Sequence, residues 1–481
     1  MSHTVSIKKN VIFNTAYQVL ILIAPLITTP YISRTIGADG VGTYSFTNSV
    51  VMYFTMFAAL GTAGYGTREI SRNRNNKKII SKLFLEIELL TVFTTIVCLG
   101  LWLVFILIAK TYKTYYLILS LTLLATLFDI SWFYAGIEEF KYTIIQNAFF
   151  KIAGIVSLFI FINSKEDTYI YVLIMALTTL LGNMSMWIYL PRFVDKVPFK
   201  SVNVFRHFRE TLIYFIPTIA ISIYTILDKT LIGLITHDEF ENGYYEQATK
   251  VVNMIKAITF YSVNLVIGSR TSLLFAEGRY QEIKKLIMDS MDFILLIGYG
   301  AVFGLVGISR SFVPIFFGEG YEYVTVLLYW MSPLIIIISI SNCLGNQYYT
   351  PAGLRAQSSK YIISGSVLNL VLNLCLIPRL GSVGAVIGSI AAEGLISSLY
   401  LLNCNGYLTV SNLFRMSVKR IIAGLLMSWF VLLIGKYVIL DAISKSILQV
   451  ASGAIIYAVV LILLKDSMLI GLIGRLSKRN N

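Results

Sequence analysis

Seven ionisable residues stand inside long apolar stretches of this chain: Asp129, Lys151, Asp228, Lys229, Lys250, Lys256 and Glu393. An ionised side chain at mid-bilayer costs about 2.5–3.5 kcal/mol even on a lenient insertion scale, so the set facing lipid would cost roughly 20 kcal/mol. They must pair with one another or face water. Four of the seven are lysines, whose ammonium groups hold phosphate oxygens as point charges. The chemistry on offer is therefore the holding of an anion, with Asp129, Asp228 and Glu393 as ion-pair or ion-coupling partners.

Helical geometry sorts these residues. Along 244–268, at 100° per residue, Glu246, Lys250, Asn253 and Asn264 fall within about 40° of one line, and Lys256 lies about 80° to one side. Tyr214, Pro217, Thr218, Thr225 and Asp228 align in the same way, as do Asn14, Gln18 and Pro25, and Tyr44, Asn48, Thr55 and Thr62. Four polar stripes on four helices point to an aqueous seam. Asp228 and Lys250 stand at similar depth on antiparallel neighbours, a placement that allows an ion pair. The plainer reading of the uncharged stripe members is as interhelical glue. Pro25 and Pro217 serve as gating bends or as tolerated kinks.

The elements that carry these stripes follow from composition. Of 481 residues, 57% are hydrophobic and 13% charged, and mean hydropathy is +0.75. Soluble domains carry about 25% charged residues, so the chain reads as an all-α integral membrane protein. At about 20 apolar residues per span there are fourteen candidates, near 11–33, 42–66, 81–108, 115–136, 142–162, 169–190, 210–236, 244–268, 286–309, 323–348, 361–377, 382–402, 417–435 and 446–464. With the N-terminus inside, Lys and Arg divide 27 to 8 between inner and outer loops, which makes both termini cytoplasmic. The net charge of +14 is thus read as topology; nucleic acid is not implied.

The longest polar interruption, 192–209, reads as a cytoplasmic linker between an N-lobe of six helices (1–191) and a C-lobe of six (210–405), with two further helices and a tail over 406–481. A weak internal repeat supports two lobes: Gly42-Thr-Tyr44 matches Gly243-Tyr-Tyr245, and Gly66-Thr-Arg68 matches Gly268-Ser-Arg270. Six helices per lobe make the repeat parallel, with a pseudo-two-fold along the membrane normal. Cys98, Cys343, Cys375 and Cys404 lack metal or disulfide spacing, and His3, His207 and His237 lie outside the apolar runs. No metal or cofactor is expected.

Several motifs resemble the Wzx-type polysaccharide flippases of the MOP exporter superfamily. They are Pro30 to Gly42 (PYISRTIGADGVG), Gly61, the basic stretch Arg68 to Lys78, Asp129-x-x-Trp132 with Gly136-x-Glu138, and Asp228-Lys229-Thr230 followed by Gly243-Tyr-Tyr-Glu-Gln-Ala248. The resemblance implies flipping of an undecaprenyl-pyrophosphate-linked oligosaccharide across the plasma membrane for capsule or a similar surface glycan. It also implies ion-coupled alternating access, driven by H+ or Na+, and a polysaccharide polymerase and glycosyltransferases as working partners beside the membrane lipids. By motif position it carries over Arg34, Arg68, Asp228 and Arg270 as site residues; Lys151, Lys250, Asn253 and Lys256 rest on helix geometry. Arg34 also reads as an interfacial anchor, and the stretch Arg68 to Lys78 as topology and anionic-lipid contact.

Two other functions compete. A MATE-like exporter of cationic drugs, or another exporter of the superfamily handling lipid II, would use the same plan. A cation exporter, however, calls for carboxylates where this chain has lysines. A membrane glycan polymerase or ligase needs a sizeable outer loop with acid, base or cationic groups, and the stretch Arg310 to Glu322 offers few.

Overall fold

A computed structural model describes residues 7–479, with side chains over 17–475 except 216–218, 220–225, 261, 262, 265, 266 and 269. Asn14, Pro217, Thr218 and Thr225 of the expected stripes therefore lie outside the described side chains. The chain divides into two compact units, Met1–Gly233 and Leu234–Asn481.

Among the described residues all regular structure is helical, because a backbone in hydrocarbon must satisfy its own N–H and C=O groups. The first unit comprises α1 (Ile7–Ala59), α2 (Thr62–Asn73), α3 (Lys77–Ile108), α4 (Lys113–Thr126), α5 (Ser131–Gly136), α6 (Phe140–Phe161), α7 (Thr168–Met186) and α8 (Phe208–Thr236). The second comprises α9 (Glu239–Lys256), α10 (Ser262–Ala276), α11 (Tyr280–Phe317), α12 (Glu322–Leu344), α13 (Arg355–Leu402), α14 (Val410–Tyr437), α15 (Ala442–Leu463) and α16 (Ser467–Arg479). Ten helices among the described residues are long and apolar enough to cross a membrane, so this is a multi-pass membrane protein.

Two of those ten, of 57 and 48 residues, are each long enough for two passes. They bend at single glycines, Gly37 (φ 75°) in α1 and Gly381 (φ 56°) in α13, where separate spans joined by short loops are expected from the sequence. Beyond the second bend the Ser382 N–H donates to Glu241 Oε2 at 2.8 Å, so a carboxylate caps the restarted helix. Elsewhere expected single spans are interrupted. The stretch 42–66 breaks at Leu60 and Gly61, and 115–136 breaks at 127–130.

Gly61 shows why one break is where it is. Its φ is +72°, and a Cβ there would lie 2.7 Å from Phe215 N and 2.8 Å from Thr211 O of α8. Only a residue without a side chain lets the two backbones approach this closely. Gly61→Ala is therefore expected to destabilise the first unit by roughly 2–4 kcal/mol, combining left-handed strain with backbone displacement. A lowered melting temperature of the purified protein in detergent would show it; an unchanged one would mean that α8 yields freely.

Each unit has its own apolar core. In the first, Trp102, Leu119, Leu123 and Ile162 are fully or almost fully buried; in the second, Ile283, Ile287, Met291, Leu344 and Tyr349 are. Short amphipathic α16 lays Met468, Leu469 and Leu472 against Leu296, Ala423 and Leu461, while Ile470 and Ile473 stay exposed, the pattern of an interfacial helix.

Candidate functional site

In the second unit, α9 brings three of the expected residues to its C-terminal end. Lys250 is matched by Glu246 one turn earlier, at 3.7 Å, with 26% and 12% of the two side chains exposed. Asn253 is exposed, and its Oδ1 accepts from Lys256 Nζ at 3.4 Å. Glu393, 7% exposed on α13, acts on Lys256 through space. Asn253, Lys256 and Glu393 thus form one polar cluster in which a weak amide contact holds the Lys256 ammonium, with the Glu246–Lys250 pair earlier on the same helix. A cation so held can exchange that contact for a phosphate oxygen.

The helix does not continue straight beyond Lys256. Residues Ala257–Tyr261 form a π turn, whose extra residue rotates everything that follows out of register. Asn264, expected on the Lys250 line, is instead buried. Its amide donates to Asn342 Oδ1 at 2.6 Å, and its Oδ1 accepts from Gln347 at 2.7 Å. Gln347 itself belongs to a second π turn, Gly345–Tyr349, and accepts from Ser290 at 2.6 Å. Asn264 is therefore structural glue. Arg270, in the middle of α10, is exposed.

The same unit holds an apolar cavity of about 440 Å³, which Ile255 of α9 shares with the glycine-rich faces of α11 (Gly300, Gly304) and α15 (Gly453). Ile255 and Lys256 are consecutive, but their side chains leave the helix about 100° apart, and Ile255 alone of the two lines the cavity.

In the first unit the expected residues are spread out. Arg34 is exposed on α1 and Lys151 on α6, the latter without an ion pair among the described residues. Arg68 donates from Nη1 to Tyr214 OH at 2.8 Å. Asp228 is buried at 5% exposure beside Tyr53, whose hydroxyl accepts from Thr230 at 3.3 Å; Thr230 also bonds Ser49 at 2.9 Å. Asp129 accepts from the Ser131 N–H at 3.0 Å in the turn that precedes α5.

The motif around Asp129 is a packing joint. A Cβ at Gly66 would fall 2.3 Å from the Trp132 ring, and one at Gly136 would fall 2.7 Å from Ile70, so α2 and α5 touch through their glycines. The basic stretch is also tied down: Arg74 pairs with Glu138 at 2.5 Å and Lys77 with Asp195 at 2.7 Å.

Sequence reasoning missed two buried glutamates in α3, Glu86 and Glu88, although each interrupts an apolar run. Glu86 is fully buried; it accepts from Asn203 N at 2.8 Å, lies 3.0 Å from His207 Nε2, and pairs with Arg206. His207 Nδ1 faces Tyr65 OH at 2.7 Å. His207 Nε2 also accepts from the Arg206 Nε–H at 3.1 Å, so the ring sits among Glu86, Arg206 and Tyr65. Burial lowers the His207 pKa below its ordinary 6.5, and this outweighs the stabilising carboxylates of Glu86 and Glu69.

A depressed histidine pKa stabilises docking above 6.5 and loses that stabilisation progressively as pH falls below it. Amide exchange across 199–210 is expected to speed up, beyond its intrinsic pH trend, as pH drops through that value. His207→Gln should flatten the effect; equal protection at both pH values would contradict it.

The polysaccharide biosynthesis protein family matches residues 7–267, more than half of the chain. The chain belongs to that family. The putative O-antigen transporter of Escherichia coli (strain K12) is 27% identical over 410 residues, or 83% of this chain and 97% of the relative. The probable low-salt glycan biosynthesis flippase Agl15 of Haloferax volcanii is 27% identical over 168 residues, 34% of each protein. Among solved structures, the lipid II flippase MurJ in an inward closed conformation matches with a TM-score of 0.73 over 95% of this chain and 99% of its own, at 14% identity. An outward-facing multidrug resistance MATE family transporter of the MOP superfamily matches with a TM-score of 0.52 over 85% and 96%, also at 14% identity. At such identity the likeness is one of fold. The resemblance read from the motifs is borne out, and so is the all-helical membrane fold of this polysaccharide biosynthesis family member.

Proposed function

We propose that the chain is a flippase that carries undecaprenyl-pyrophosphate-linked oligosaccharide repeat units from the inner to the outer leaflet of the plasma membrane, supplying a capsular or similar surface polysaccharide. Such a headgroup cannot cross hydrocarbon unaided, because burying its unpaired charge would cost tens of kcal/mol on a Born estimate. The observation that carries the reading is the Lys256 ammonium, held only by a weak 3.4 Å contact to Asn253 Oδ1 and so able to take up pyrophosphate oxygens. Lys250 and Asn253 extend the polar side, and Arg34, Arg68, Lys151 and Arg270 are further basic groups for the headgroup. Asp129, Asp228 and Glu393 serve as coupling or ion-pair groups.

Alternating access, fourteen passes with both termini cytoplasmic, and drive from a H+ or Na+ gradient complete the proposal. The lobes would be 1–191 and 210–405, joined by 192–209 and followed by the helices of 406–481. A polysaccharide polymerase and glycosyltransferases would work beside it. The names of the relatives, transporters and flippases, favour transport over a polymerase or ligase. The lysines favour anionic cargo over a drug.

The test is a liposome assay using a lipid-linked oligosaccharide labelled with a fluorophore on its sugar, together with an impermeant quencher. The protein is expected to render the inner-leaflet label quenchable and to leave a cationic dye untransported. Label movement no faster than in empty liposomes, or dye transport in its place, would overturn the reading.

A further inference from the structure

Glu88 takes no part in the cluster on α9. It lies in α3, about 16 Å along the helix from Lys77. It is 3% exposed, and neither carboxylate oxygen has a hydrogen-bond partner. Glu86, on the opposite face of the same helix, shows the contrast: it meets Asn203, Arg206 and His207.

The Glu88 face of α3 also carries Phe84, Thr91 and Thr95. Phe84 stacks on Trp132 at 5.7 Å, and Thr91 donates to Thr62 at 3.2 Å. Thr95 Oγ1 and Trp132 Nε1 are likewise buried without partners. The charged group acting on Glu88 is a second carboxylate, Asp129, at the start of α5; among the described residues no cation offsets it.

An ionised carboxylate so placed carries a desolvation penalty of several kcal/mol, about what a buried ion costs after relaxation. Either a proton or a metal ion removes that penalty. Among the described residues no group of three His, Cys, Asp or Glu side chains could hold a metal ion, which leaves a monovalent cation on fewer ligands or a proton, and of these a proton needs only one oxygen.

We propose that Glu88 is a proton-carrying site of the first unit, with the half-buried carboxylate of Asp129 as the group through which the proton exchanges with water. The proton bonds to one Glu88 Oε; on release that O–H bond breaks, the proton crosses through an intervening water to form an O–H bond on Asp129, and Asp129 then gives it to solvent, no other bond changing. The site deepens the transport reading and rests on it for its purpose, since loading and unloading would couple a proton gradient to the flip.

Two measurements on the full chain in lipid test this. Infrared spectra at neutral pH are expected to contain a protonated-carboxyl C=O band that is lost in Glu88→Gln, kept in Asp129→Asn, and shifted by isotopic labelling of glutamate in the unmutated protein. The labelling arm holds even if a variant misfolds. A band unmoved by both the variant and the label, or the absence of any band, overturns the proposal.

In liposomes with the fluorescent lipid-linked oligosaccharide, an imposed pH gradient should accelerate flipping by the unmutated protein. For Glu88→Gln the ratio of rates with and without the gradient should fall to unity. A full response in the variant, or a response of the unmutated protein to sodium alone, overturns it. Absence of flipping altogether would bring down the transport reading while leaving the infrared assignment intact.

Discussion

Lys256→Ala is expected to abolish surface-glycan export in a complementation assay while the protein accumulates to normal levels. The reason is the poverty of the bonds that Lys256 makes at rest. It has one 3.4 Å contact to Asn253 and Glu393 acting through space, so its loss removes little from the fold. In the loaded state it would make charge-assisted bonds to phosphate, each worth about 1.5–3 kcal/mol. Truncation should therefore weaken headgroup binding by roughly 10–100-fold. Lys256→Arg keeps the charge and should retain part of the activity, though a planar fork is not a point charge. Lys250→Ala should have a smaller effect, because Lys250 already has Glu246 at 3.7 Å. Full export by Lys256→Ala would remove this residue from the site.

Arg420→Ala is expected to be the most destabilising single substitution considered. Arg420 is 1% exposed, with Nη2 at 2.7 Å from Asp292 Oδ1, Nε at 3.2 Å from Asp466 Oδ2, and Nη1 donating to the Asp292 carbonyl at 2.7 Å. Asp466 in turn caps α16 by accepting from the Leu469 N–H at 3.0 Å. One guanidinium thus joins α11, α14 and the turn into α16. Removing it leaves two carboxylates facing each other without a counter-charge, which costs about 3–5 kcal/mol. Thermal unfolding in detergent should show the loss. Adding Asp292→Asn and Asp466→Asn should restore part of it, because the stranded charge, rather than the missing contacts, is the larger share. No rescue by the double amide would mean that packing dominates.

How far the sequence discloses this molecule depends on which physical signal each feature leaves. Helical class and membrane embedding are legible because apolar length is a property of composition, and the motif residues Gly66, Trp132 and Gly136 are legible as a signature. Their meaning is not: that the glycines exist to admit a tryptophan ring and an isoleucine appears only once α2 and α5 are seen in contact. Register is less legible still. A helical wheel assumes one periodicity, and the π turn at Ala257–Tyr261 breaks it and sends Asn264 into a hydrogen-bond network. Arg420 reads as one more inner-loop cation, since positive charge near a span end looks the same whether it faces lipid headgroups or two buried aspartates. Glu88 stands in plain view in the run LFLEIELL, but its isolation depends on which neighbours fail to reach it, and that is a matter of three dimensions.

The bends at Gly37 and Gly381 have a mechanical corollary. A loop between neighbouring spans absorbs sliding and swivelling through its own slack. An elbow whose backbone stays helical on both sides up to one glycine has almost none, so tilting one arm must drag the other. Two such elbows, one in each unit, would make the spans on either side of them levers that travel together, with only a single pair of dihedral angles at each as the axle.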